Sequence, residues 1–185
     1  EVPGWDLVAV HTPGHTPGHL CFYEERSGLL LTGDHVLPRI SPNVSLHPQS
    51  GPDPLGDYLA SLERLRAYGD RLALAGHEGP VASLAKRIDE LRVHHQDRLD
   101  ETAALVNDGS AGLPWTASLR SPARSAGGLT VWEVAQGLRW SRPWEEIRGF
   151  MRRAALGETQ AHLVLLERQG MVERVAGTPL RWLPR

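Results

Sequence analysis

His11-Thr-Pro-Gly-His-Thr-Pro-Gly-His19, near the start of this 185-residue chain, packs three histidines and two Pro-Gly pairs into nine residues. Just upstream, residues 5–10 (WDLVAV) are apolar and β-branched, and the Pro-Gly pairs at 13–14 and 17–18 can neither continue that strand nor sit inside a helix. His15 is thereby held in a stiff loop at a strand end. Two later segments repeat the arrangement. Residues 19–25 and 28–32 flank a Glu-Arg-Ser-Gly turn and read as an antiparallel hairpin that delivers Asp34 to its end, and residues 71–75 (RLALA) read as a buried strand ending at Gly76-His77. A glycine immediately precedes each of the three residues, which permits close backbone approach there. If the strands lie side by side, His15, Asp34 and His77 emerge at one edge, and imidazole with carboxylate is a donor set for a divalent metal.

The stretches between them supply helices and one long loop. Residues 36–53 hold four prolines and no period, a surface loop of the kind that lines a site, with Arg39 and Asn43 as candidates to touch an anionic substrate. Leu55, Leu59, Leu62 and Leu65 recur at helical spacing and predict a helix over 54–68 that stops at Gly69. A second apolar stripe, from Val81 through Ile88 and Leu99 to Val106, predicts a helix from 80 to about 107, long enough at about 1.5 Å per residue to leave one domain and enter another. His95 falls on that stripe and reads as a core or interface residue. Residues 109–128 are rich in Gly, Ser, Pro and Ala and read as a linker. Beyond it, helical patterns at 130–139, 143–154 and 157–169 precede β-like runs at 171–175 and 180–183, the order of a winged helix.

Composition excludes several classes. The apolar runs are far shorter than the roughly 20 residues of a membrane-spanning helix, and one cysteine, Cys21, rules out an internal disulfide and a thiolate metal cluster. A reducing, cytoplasmic setting is the expectation. The net charge of −2 conceals an asymmetry: residues 1–109 carry 9 basic against 16 acidic side chains, and residues 110–185 carry 11 against 6, giving −7 and +5. Such a split points to two units with different jobs.

Taken together, Thr12-Pro-Gly-His-Thr16, Thr32-Gly-Asp34 and Gly76-His77 resemble the C-terminal portion of a metallo-β-lactamase-fold hydrolase, over roughly residues 1–85. The resemblance implies an α/β fold: part of an αββα sandwich (1–85), a connecting helix (86–109), a linker (110–128) and a winged-helix domain (129–185). It also implies two zinc ions, with His15 completing the first metal's shell, Asp34 bridging both as the catalytic ligand and His77 binding the second, and hydrolysis through a metal-bound hydroxide. His11 and His19 are expected beside the ligands rather than on the metal, and His35 either faces the site or points to solvent. The family's upstream His-x-His-x-Asp-His run is absent from the chain, so we expect it to be a fragment, inactive in isolation and prone to dimerise or exchange strands through its uncovered faces.

Three functions fit these residues. The first is hydrolysis of a small ester or thioester. The second, implied by resemblance to the β-lactamase-like protein 2 group, is cleavage of single-stranded RNA, with the arginines and Trp132, Trp140, Trp144 and Trp182 of the last domain binding phosphates and bases. Those tryptophans read more readily as core. A third is a non-catalytic module that binds nucleic acid or a partner protein.

Overall fold

The computed structural model describes residues 2–108 and 127–185, with the side chain of Asp108 left aside. The chain divides into two compact units, Glu1–His95 and Gln96–Arg185. Most of the linker expected over 110–128 lies outside the described residues.

The first unit is built on one five-stranded sheet. Its strands are β1 (Leu7–His11), β2 (Leu20–Glu24), β3 (Leu29–Gly33), β4 (Ala73–Ala75) and β5 (Pro80–Val81), in that spatial order. β1, β2 and β3 run antiparallel in sequence, and β4 lies parallel to β3, because helix α1 (Pro54–Leu65) and its flanking loops make the long crossover that a parallel pair requires. This topology fixes where the site forms. β1, β3 and β4 all point the same way, so their C-terminal ends reach one edge and carry the 12–19 loop, Asp34 and His77 to it. A backbone hydrogen bond from Gly76 N to the Gly33 carbonyl, 2.7 Å, closes two of those ends together.

Helix α1 begins at Pro54 with Asp53 as its cap, the Asp53 carboxylate accepting from Gly56 N at 3.0 Å. It ends three residues earlier than its periodicity predicts, in a 3-10 turn over Arg66–Tyr68 that closes at Gly69 with φ 74°. Leu55, Tyr58, Leu62 and Leu65 are fully buried, and at about 1.5–3 kcal/mol per large apolar side chain this stripe is the main force holding the helix down. Helix α2 (Leu84–Asp108) starts later than position 80 because Pro80 and Val81 pair with Leu74 and Ala73 as a strand first. Ser83 then accepts from Lys86 N at 3.2 Å and opens the helix. The sheet's other face carries an in-register row, Ala9, Phe22, Leu31 and Leu74, that stays partly or largely exposed.

Glu24, at the end of β2, is buried and accepts from the Ser27 hydroxyl (2.6 Å), Ser27 N (2.7 Å) and Asp6 N (3.2 Å). The Ser27 hydroxyl, then its amide, pull the carboxyl down to a pKa of about 2, against a smaller opposing effect of burial. A depressed acid stabilises the fold above its unfolded value and loses that contribution as pH falls toward its folded value. Glu24→Gln should therefore lower stability by a constant amount above about pH 5, with the gap to the native protein closing between about pH 4.5 and 2. Urea unfolding at pH 7 and pH 3 checks this, and an equal gap at both values contradicts it.

In the second unit, α2's last turns are followed by β6 (Leu129–Thr130), α3 (Val131–Gly137), a 3-10 turn at Trp144–Glu146, α4 (Gly149–Arg168), β7 (Val172–Val175) and β8 (Arg181–Pro184). The strands form an antiparallel sheet in the order β6-β8-β7. Thr130 and Glu133 form a reciprocal capping box at the start of α3. The helices predicted at 143–154 and 157–169 are instead a short turn and one 20-residue helix. The single Gly157 costs too little to break it, and Ala155, Ala161 and Leu163 bury its inner face. Trp182 and Trp144 are core, Trp140 is half-buried, and Trp132 is exposed with Arg152 against both its ring and that of Trp144. Arg98 ties this unit internally: it donates to Glu101 (3.0 Å) and the Arg139 carbonyl (2.7 Å) and stacks over Trp140. Its charge partly offsets the burial that raises the pKa of Glu158.

Candidate metal centre

The edge where β1, β3 and β4 end gathers the three expected donors around one carboxylate. His15 Nε2 lies 3.9 Å from Asp34 Oδ2, and His77 Nε2 lies 3.3 Å from Asp34 Oδ1, so each imidazole faces a different oxygen. Their side chains are 29%, 37% and 68% exposed for His15, Asp34 and His77, so the three reach solvent at this edge. The His15 ring is oriented from behind: its Nδ1 lies 2.8 Å from the Asn43 carbonyl, which makes Nδ1 the protonated nitrogen and leaves Nε2 as a lone-pair donor at the site.

Close backbone packing sets these positions. Gly14 has φ 141° and sits so near α1 that a Cβ there would lie 2.4 Å from Tyr58 Cβ. A Cβ on Gly76 would lie 2.6 Å from Asp34 Oδ1, so only glycine lets the His77 turn close on the carboxylate. The Pro13 carbonyl also accepts from Ser61 at 2.9 Å, which fastens the His15 loop to α1.

The other histidines have separate tasks. His11 is exposed, with Nε2 2.9 Å from the Pro17 carbonyl, and it braces the loop rather than the site. His19 packs beside His15 and pairs through Nδ1 with Thr12 Oγ1 at 2.8 Å; burial, then the charge of His15, lowers its pKa while Asp34 opposes the shift. Thr12 Oγ1 also lies 3.3 Å from Cys21 Sγ, and burial pushes that thiol up to about 11, so it is unreactive. His35 points neither to the site nor to solvent. It is fully buried against the rings of Tyr58 and His19, and burial, followed by the neighbouring His19 and His15, brings its pKa to about 3, so the ring is neutral. His95 is buried edge-on to Tyr58.

Of the two loop candidates, Asn43 acts through its backbone carbonyl, while its amide oxygen bonds Ser45. Arg39 is 75% exposed and 3.7 Å from Glu78. Glu78, the residue after His77, has no place in the sequence reading. Its signal is local: an acidic residue between His77 and Gly79.

The donors have the chemistry of a zinc site, imidazole with carboxylate. Their number is short. Among the described residues no three His, Cys, Asp or Glu side chains close into a metal cage. The residues present fit part of a metal centre, and further donors are needed to complete it.

Residues 1–77 match the family described as the metallo-beta-lactamase superfamily. This chain belongs to the metallo-β-lactamase superfamily. Among proteins similar to it, the lactamase-like protein aptB of Emericella nidulans is 30% identical over 134 residues, covering 72% of this chain and 38% of that protein. The atrochrysone carboxyl ACP thioesterase of Aspergillus fumigatus is 27% identical over 80% of this chain and 32% of its own length. The crystal structure of a metallo-beta-lactamase family protein from Thermus thermophilus is 39% identical, with a TM-score of 0.78 over 100% of this chain and 51% of that one. The chain thus spans about a third to half the length of these superfamily members. It is a mixed α/β member of a hydrolase superfamily, and among the described residues no helix is long and apolar enough to cross a membrane.

Proposed function

We propose that the intact protein carrying this chain is a metal-dependent hydrolase of a thioester or ester, with His15, Asp34 and His77 as half of a dinuclear zinc site. The observation that carries the reading is Asp34, held between two imidazoles with one oxygen turned to each. A carboxylate so placed is suited to bridge two cations. When bound, such a pair supplies an activated water at neutral pH and polarises the scissile carbonyl.

This chain's residues would do the rest. His15 and His77 each bring Nε2 to a different oxygen of Asp34, and the Asn43 carbonyl keeps His15 in the tautomer that can donate its Nε2 pair. The carboxylate would contribute negative charge to offset that of the bound cations. Similarity to a protein named as an acyl-carrier-protein thioesterase supports a thioester as the substrate class. We read the second unit as a winged helix, supported by its two helices followed by a hairpin and by the sheet order β6-β8-β7.

The test is a panel of acyl thioesters and a single-stranded RNA offered to the zinc-loaded intact protein. Turnover of thioesters with no RNA cleavage is expected; RNA cleavage alone replaces the reading with a nuclease. The present chain by itself should neither hydrolyse these substrates nor stay monomeric. Its apolar row Ala9, Phe22, Leu31 and Leu74 supports self-association, and light scattering should give a dimer mass. A clean monomer contradicts that expectation.

A further inference from the structure

We propose that Glu78 is a positioning residue that clamps the 36–45 loop against both histidine donors and so sets how tightly substrate is held. The inference rests on the hydrolase reading for the word substrate. The clamp itself rests on geometry alone.

Glu78 Oε2 accepts from two consecutive backbone amides, Arg39 N at 3.3 Å and Ile40 N at 3.2 Å. The same two residues are held from their other side. Arg87 Nη2 donates to the Arg39 and Ile40 carbonyls at 3.1 and 3.0 Å, and its Nε donates to the Leu37 carbonyl at 2.7 Å. A carboxylate thus takes the amides while a guanidinium takes the carbonyls of one dipeptide, which leaves that backbone little freedom to shift. Further along, the same loop gives its Asn43 carbonyl to His15 at 2.8 Å. The loop is therefore tied to the His77 turn at one point and to His15 at another.

Backbone conformation indicates that the carboxylate is kept for a purpose. Glu78 has φ 67°, the one non-glycine residue in the left-handed region among the described residues, and Gly79 follows with φ 94°. Glycine would adopt that conformation without strain. A side chain retained where glycine fits better is one whose function offsets the strain. The clamp also leaves the Arg39 guanidinium exposed beside the turn, 3.7 Å from Glu78, where it can meet the anionic part of a substrate.

Two variants of the intact protein test this. Glu78→Gly removes the carboxylate and relieves the backbone, so it separates a positioning role from a stabilising one. Its Tm should stay within a few degrees of the native value, because relief of the left-handed backbone offsets part of the loss of the two hydrogen bonds. In metal-stripped protein, hydrogen exchange at the Arg39 and Ile40 amides should quicken about ten-fold or more. With zinc restored, KM for an anionic acyl thioester should rise about five-fold or more with a smaller change in kcat. Glu78→Gln keeps an acceptor oxygen and should recover part of both effects. Unchanged exchange in Glu78→Gly overturns the clamp, and faster exchange with unchanged KM overturns its role in substrate binding. If the native protein hydrolyses no thioester, the functional reading fails separately, and the exchange result still decides whether Glu78 holds the loop.

Discussion

Asp34→Asn in the zinc-loaded intact protein should lower thioester hydrolysis by about three orders of magnitude, the equivalent of about 4 kcal/mol of transition-state stabilisation. Asparagine keeps the shape of the side chain and removes its charge, together with one of the two equivalent oxygens that face His15 and His77. The scaffold should survive. The carboxylate is 37% exposed, and the strand ends that carry it are joined independently by the Gly76–Gly33 backbone bond. Circular dichroism and thermal unfolding close to native, together with collapsed turnover, is the expected pair of results. Turnover within a few-fold of native contradicts the role given to Asp34.

The second large effect is on folding. Gly14→Ala should destabilise the first unit by about 3 kcal/mol or more, a large share of the ~5–15 kcal/mol that holds an ordinary domain folded. A Cβ at this position meets Tyr58 at its Cβ (2.4 Å), Cα (2.6 Å) and N (2.9 Å), and φ 141° is itself unfavourable for alanine. Backbone cannot rotate aside as a side chain tip can, so either the His15 loop lifts or α1 shifts. Tyr58 is fully buried, with its hydroxyl donating to the His35 carbonyl at 3.0 Å, and its shift would disturb the core directly behind Asp34. Chemical denaturation of Gly14→Ala measures this; a loss under about 1 kcal/mol would mean the loop adapts freely. Gly18→Ala is the control, since a Cβ there meets nothing within 4 Å.

Much of this site is legible in the chain because its signals are local. Pro-Gly pairs stop strands, a glycine before each donor marks a close approach, and strand ends at 11, 33 and 75 follow from apolar runs. Parallel pairing of β3 and β4 then follows from the length of the crossover, and that pairing brings Asp34 and His77 together. What stays hidden depends on long-range contacts. His35 adjoins Asp34 in sequence yet points inward to Tyr58, because the backbone turns after Gly33. The clamp on Arg39 and Ile40 joins positions 39, 78 and 87, and no periodicity links them. In the second unit the patterns at 143–154 and 157–169 read as separate helices, whereas burial of residues 161–166 belongs to one helix that runs from Gly149 to Arg168.

His15, Asp34 and His77 are proposed as donors of one metal centre. Metal content tests this most directly: zinc per chain by plasma mass spectrometry, after dialysis, for the intact native protein, Asp34→Asn and His77→Ala. Two zinc ions per native chain are expected, with the loss of at least one in each variant and secondary structure retained. Equal zinc content in all three proteins would contradict it.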